Sequence, residues 1–202
     1  MNDGVMHAPV LVTGANSQVG RCALDRLAES NVSVVAFVRH MHPELQDLTE
    51  NFIVGDLSQG QLKIDKSITS LIHIAGIWLL PPHISRMHRI GLRRLVCFSS
   101  TAIFNKVNSV NASERKVARK MLAAEESVTQ QCDAMGIKWT ILRPTLIYGL
   151  GLDRNISRAA HFIEKFKFFP LATGATGLRQ PVHADDLAVA AVTAIQSDTA
   201  AG

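Results

Sequence analysis

Thr13-Gly14-Ala15-Asn16-Ser17-Gln18-Val19-Gly20 follows a short apolar run and precedes an amphipathic stretch. Glycines at this spacing, between a strand and a helix, do recognisable chemistry. Gly14 makes the tight turn, and Gly20 lets the helix pack closely on the sheet. The backbone N–H groups of Asn16, Ser17, Gln18 and Val19 then face a pyrophosphate, where the helix dipole favours negative charge. Ser17 stands in the middle glycine slot. It is small enough to keep the backbone approach open, and it adds a hydroxyl donor. The competing reading is an ordinary glycine-containing turn.

The second β-branched run ends Phe37-Val38-Arg39-His40. A site for NAD normally has an acidic residue here, to accept a hydrogen bond from the ribose 2′-hydroxyl. None is present. Arg39 instead suits a 2′-phosphate, through charge-assisted hydrogen bonds of about 1.5–3 kcal/mol each, or roughly 10- to 100-fold in affinity. NADP in preference to NAD is therefore expected, with a plain surface arginine as the alternative. Two further places fit the same ligand. Asp56 and Leu57 follow the third run, where a carboxylate can accept from an adenine amino group. Ala75, Gly76 and Ile77 end the fourth, where small residues let a cofactor lie against the backbone.

The elements that must position these residues alternate. Apolar runs at Pro9–Thr13, Val32–Val38, Phe52–Val54, Ser70–Ala75, Leu95–Ser99 and Trp139–Leu142 are separated by amphipathic stretches ending near Glu29 and at about 82–90, 112–134, 155–166 and 184–196. This alternation specifies an α/β fold, a doubly wound parallel (Rossmann) sheet covered on both faces. Residues 1–150 are read as the NAD(P)-binding domain. Residues 151–202 are read as the start of an incomplete small C-terminal substrate lobe.

Across the 202 residues the formal net charge is +4. The basic groups 86–94 and 115–120 read as solvated helix faces, since no recognition motif or aromatic platform accompanies them. No nucleic-acid partner is expected. No apolar run reaches the roughly 18 residues of a membrane span, and the first residues lack a secretory pattern. Cys22, Cys97 and Cys132 are scattered and odd in number, which reads as reduced thiols in the cytoplasm. The histidines form no cluster at metal spacing, so no metal is expected. Trp78 and Trp139 read as packing residues, with a cleft-lining role for Trp78 beside Pro81-Pro82 as the alternative.

Taken together, TGANSQVG, the GDL at 55–57, HIAG at 73–76, Ser99-Ser100, LRPTLIYG at 142–149 and RQPVHADDLA at 179–188 resemble the extended and atypical short-chain dehydrogenase/reductase proteins. Within these they look most like the NAD(P)-dependent epimerase/dehydratase group. The resemblance covers nearly the whole chain. It implies that Ser100 is the catalytic hydroxyl, with Thr101 as a near alternative on the substrate side and Ser99 beside the cofactor. It places Pro144, Thr145 and Tyr148 at the nicotinamide end, and Arg179 on a substrate diphosphate. Asp185 and Asp186 match a motif at the start of the last helix, where a capping role is the simpler reading.

The family's chemistry depends on a Tyr-x-x-x-Lys pair, whose i and i+4 residues share a helix face. Lys120 fits the lysine, but the tyrosine slot is Lys116, and the chain's only tyrosine is Tyr148. Two readings follow. One is an NADP-dependent oxidoreductase or epimerase acting on a carbonyl or hydroxyl, with a nucleotide sugar as the expected small-molecule substrate class. In it Ser100, Lys120 and Lys116 are the catalytic candidates. The other is a non-catalytic NADP-binding sensor or assembly protein. A homodimer is compatible with both.

Overall fold

The computed structural model describes residues 8–60, 62–64, 67–170, 174 and 180–201. Six short strands build the main sheet: β1 (Val10–Thr13), β2 (Val34–Val38), β3 (Phe52–Val54), β4 (Ser70–His73), β5 (Arg94–Phe98) and β6 (Lys138–Leu142). Every residue of β1, β2 and β5 is buried. Their β-branched and aliphatic residues suit a pleated surface packed on both sides. The strand order is β3-β2-β1-β4-β5-β6, and all neighbours run parallel. The direction of winding reverses between β1 and β4, which opens a crevice at the carboxyl ends of the strands.

Alternate residues feed two cores. On one face Val10, Val12, Val34, Ala36 and Val38 pack under α1 (Gln18–Glu29) and α7 (Ala184–Gln196). On the other, Leu11, Val35, Phe37, Leu71 and Leu95 pack under α3 (Pro81–Arg89) and α5 (Ala112–Met135). Burying each large aliphatic side chain contributes about 1.5–3 kcal/mol. Helix α7 shares its core with α1, and Arg26 of α1 holds Asp185 of α7 through two hydrogen bonds. That pairing corrects the capping reading of Asp185. The cap of α7 is His183, whose Nδ1 accepts from the Asp185 N–H.

Several short elements escape the sequence pattern. These are α2 (Pro43–Gln46), α4 (Ala102–Asn105), and a separate parallel pair of β7 (Leu146–Tyr148) with β8 (Pro181–His183). Helix α6 (Ile156–Phe166) has no buried residue. A second correction concerns Arg94, grouped above with a solvated basic face. It lies buried in β5 and donates to Thr140 Oγ1 and the Ala194 carbonyl, tying the strand to α7. Among the described residues no helix is long and apolar enough to cross a membrane. No group of three His, Cys, Asp or Glu could hold a metal there. Cys22, Cys97 and Cys132 are buried free thiols, and burial pushes Cys132 up to about 12.

Candidate functional site

The crevice is lined first by the turn from β1 into α1. Gly14 has φ +75°, and a side chain there would bring its first carbon within 2.6 Å of the Ala75 backbone nitrogen. A side chain at Gly20 would meet the Gly14 carbonyl oxygen at 2.4 Å. Both glycines are therefore demanded by backbone packed on backbone. Ser17 caps α1. Its hydroxyl accepts from the Gly20 N–H at 3.1 Å and donates to the Gly14 carbonyl at 2.7 Å. This corrects the hydroxyl-donor role expected of Ser17, because its proton is committed to the loop itself. The N–H groups of Gln18 and Val19, in the first turn, have no intrahelical acceptor and remain for an anion. Asn16 donates to the His40 carbonyl at 2.9 Å, fastening the loop to the end of β2. Asn16 Oδ1 and Gln18 Oε1 are buried without a hydrogen-bond partner among the described residues.

Beneath the loop lies a pair that sequence reasoning missed. His73, fully buried at the end of β4, meets Thr13 Oγ1 of β1 through Nδ1 at 2.7 Å and the Gly76 carbonyl through Nε2 at 3.3 Å. Burial holds its pKa down at about 4, so the ring is neutral at pH 7. The HIAG motif carried the signal, but nothing in it showed that the histidine bridges β1 and the turn after β4.

The side of the crevice at β2 and β3 carries Arg39 and Asp56. Arg39 is exposed at the end of β2. Asp56 Oδ1 accepts from the Ser58 N–H at 2.8 Å and the Ser58 hydroxyl at 2.7 Å, capping the 3₁₀ turn Leu57–Gln59. Those bonds, with a smaller contribution from the Arg39 charge, hold its carboxyl below the usual range. Leu57 is buried, and its carbonyl accepts from His83 at 2.9 Å.

On the other side, at β4 and β5, the arrangement departs from expectation. Gly76 does not present an open face. A side chain there would come within 2.6 Å of Trp78 Cζ2 and 2.7 Å of Cε2, so the indole already stands against that backbone. Ile77 is buried, and Ala75 faces Gly14. Lys120 Nζ lies 4.8 Å from the Trp78 ring centroid, a cation–π contact. Lys116, one turn earlier on α5, is exposed.

Ser99 is buried at the end of β5, with its N–H on the Leu142 carbonyl and its hydroxyl unpartnered among the described residues. The Ser100 hydroxyl accepts from the Ala102 N–H at 3.2 Å. Thr101 donates through its N–H to the carbonyl of buried Pro144 at 3.1 Å. Thr145 binds the Gln180 carbonyl, and Tyr148 sits edge-on to His183, centroids 5.1 Å apart. Among the described residues Ser100 makes no hydrogen bond to Lys116, Lys120 or Tyr148, so the three catalytic candidates are not joined. Arg179 lies outside the described residues.

Residues 83–202 match the family model described as the NAD dependent epimerase/dehydratase family. The chain belongs to that family. A curated relative, NADH dehydrogenase [ubiquinone] 1 alpha subcomplex subunit 9, mitochondrial, of Arabidopsis thaliana, is 34% identical over 87 residues. That match spans 43% of this chain and only 20% of the relative. Among solved structures, UDP-N-acetylglucosamine 4-epimerase from Bacillus cereus is similar with a TM-score of 0.77 at 16% identity, covering 97% of this chain and 76% of that one. UDP-glucuronic acid 4-epimerase from the same organism, solved with UDP-glucuronic acid and NAD, gives 0.75 at 19% identity, covering 96% and 74%. At such identities the structures establish the Rossmann fold.

The residues present fit half of the family's dinucleotide. The loop at 14–20 is a cradle that a Cβ would fill, the N–H groups of Gln18 and Val19 suit a pyrophosphate, and Arg39 stands exposed just after β2. The nicotinamide half does not fit in the same way. Trp78 already covers Gly76, and Lys120 is turned onto the indole.

Proposed function

We propose that this epimerase/dehydratase family member is a nucleotide-holding protein without hydride chemistry of its own. It takes the adenosine–pyrophosphate part of NADP, in preference to NAD, on the loop at 14–20. The observation that carries the reading is on α5. Lys116 stands exposed in the tyrosine position, so the proton-transfer residue that normally accounts for about 10²–10⁴-fold in rate has no counterpart there. Arg39, exposed just after β2 where no acidic residue stands, supports the choice of a 2′-phosphate. The bound nucleotide then stabilises the fold and the surface it presents, as expected for a sensor or an assembly partner.

An oxidoreductase or epimerase acting on a nucleotide sugar is the second reading. Family membership and the Ser100 hydroxyl at the crevice favour it. The test is to mix the purified protein with NADPH and a panel of aldehydes and ketones, and separately with NADP or NAD and a panel of UDP-sugars, following nicotinamide absorbance and, for epimers, product chromatography. No turnover above background is expected. Turnover abolished by Ser100→Ala would overturn the non-catalytic reading.

A further inference from the structure

The carboxyl ends of β1 and β4 mark the middle of the crevice, with the pyrophosphate loop over β1. The adenosine side runs toward β2 and β3, where Arg39 and Asp56 stand. The remaining side, over β4 and β5, is the only direction left for the second half of a dinucleotide. Trp78 stands there. Its 3₁₀ turn, Ile77–Leu79, packs against α5, and three indole carbons lie within 3.0 Å of the position a Gly76 Cβ would take. The ring therefore occupies the space that the absence of a Gly76 side chain leaves. Lys120 presses on the same ring from α5. With Lys116 and Lys120 neighbouring on one helix, the cation on the indole also keeps positive charge over this half.

We propose that Trp78, held between Gly76 and Lys120, closes the nicotinamide half of the crevice and makes the protein selective for adenosine 2′,5′-bisphosphate-like ends of nucleotides. NADP then binds through its adenosine 2′-phosphate and pyrophosphate, with the nicotinamide riboside turned outward. This rests on the phosphate-loop reading proposed above and adds what that loop selects. It also gives a physical reason for the missing chemistry: a nicotinamide excluded from β4 and β5 never meets Ser100.

The test is calorimetric titration of the full chain with adenosine 2′,5′-bisphosphate and with NADP. For the unmodified protein NADP is expected to bind no more than about tenfold tighter than the bisphosphate, the contribution of its second phosphate on the loop, because the nicotinamide riboside adds no contact. Trp78→Ala should tighten NADP by tenfold or more and leave the bisphosphate unchanged. Lys120→Met, at an exposed position that does not threaten folding, should raise the affinity for NADP relative to the bisphosphate by about two- to fivefold, the strength of a partly exposed cation–π contact, since the lost positive charge weakens both ligands. NADP binding more than tenfold tighter than the bisphosphate, with that ratio lowered by Trp78→Ala or Lys120→Met, would overturn the proposal, since the indole and lysine would then be holding the nicotinamide riboside. Such a result leaves the phosphate loop standing. If the bisphosphate itself fails to bind, the loop reading falls, and the selectivity with it.

Discussion

Three glycine-to-alanine substitutions, two in the nucleotide loop and one at Gly60 after the 3₁₀ turn, separate backbone strain from steric conflict. Gly60 has φ +69° with nothing within 4 Å of a new Cβ, so Gly60→Ala carries only the left-handed backbone cost, about 1–2 kcal/mol. Gly20 has no such strain, but its Cβ would stand 2.4 Å from the Gly14 oxygen and 2.7 Å from Ala15 Cα. Overpacking of this kind costs about 1–3 kcal/mol, offset in part by alanine's helix preference of roughly 1 kcal/mol. Gly14 combines both effects, with φ +75° and contacts of 2.6 and 2.9 Å to the backbone at Ala75 and Ile74. Gly14→Ala should therefore cost about 2–5 kcal/mol. At about 2–4 °C per kcal/mol for a domain of this size, the melting temperature should fall by about 4–20 °C. Differential scanning calorimetry gives the ranking, and Gly14→Ala must be the worst of the three. A Gly14→Ala melting temperature equal to that of Gly60→Ala would mean the loop does not rest on the backbone of Ile74 and Ala75 after β4.

Other consequences are as direct. Glu125 of α5 is buried and accepts three hydrogen bonds from Arg143, at 2.6–3.1 Å. Arg143→Met strands the carboxylate. Discounting for the arginine's partial exposure, the loss is about 2–3 kcal/mol by urea unfolding, and adding Glu125→Leu should recover most of it. If the double variant is no better than the single, the pair is not what stabilises that site. His73 has its folded pKa held at about 4, below the usual 6.5. Its neutral form is favoured in the folded state, so this contribution is fully present above pH 6.5. It is lost as pH falls from 6.5 toward 4, to an extent of about 3 kcal/mol. His73→Gln should flatten that acid limb in stability-versus-pH curves, and an unchanged limb would assign it to other groups. The Arg26–Asp185 pair is partly exposed, so Asp185→Asn should cost no more than about 1 kcal/mol in the same unfolding assay.

The sheet was legible because parallel strands buried on both faces leave unbroken β-branched runs, as in Val34–Val38. Even there Arg94 was misassigned, since only its tertiary partners on β6 and α7 make a buried arginine tolerable. Strands β7 and β8 were not legible. Each has three residues, and they pair across more than thirty intervening positions, which no local period records. The phosphate loop was legible because glycine spacing reflects backbone contact. The opposite half of the site was not. That Gly76 lacks a side chain is written in the sequence, but which group fills the space depends on the turn at 77–79 and its seat on α5. Likewise the i, i+4 spacing of Lys116 and Lys120 was readable, whereas the indole facing Lys120 was not. The role of Asp185 depended on Arg26, 159 residues away.

The most direct test of a nucleotide-holding site that chooses a 2′-phosphate is a calorimetric titration with NADP and NAD side by side, repeated on Arg39→Asp. NADP should bind about 10- to 100-fold tighter than NAD, with that preference lost in the variant. Equal affinities in the unmodified protein, or a preference that Arg39→Asp leaves intact, would contradict it.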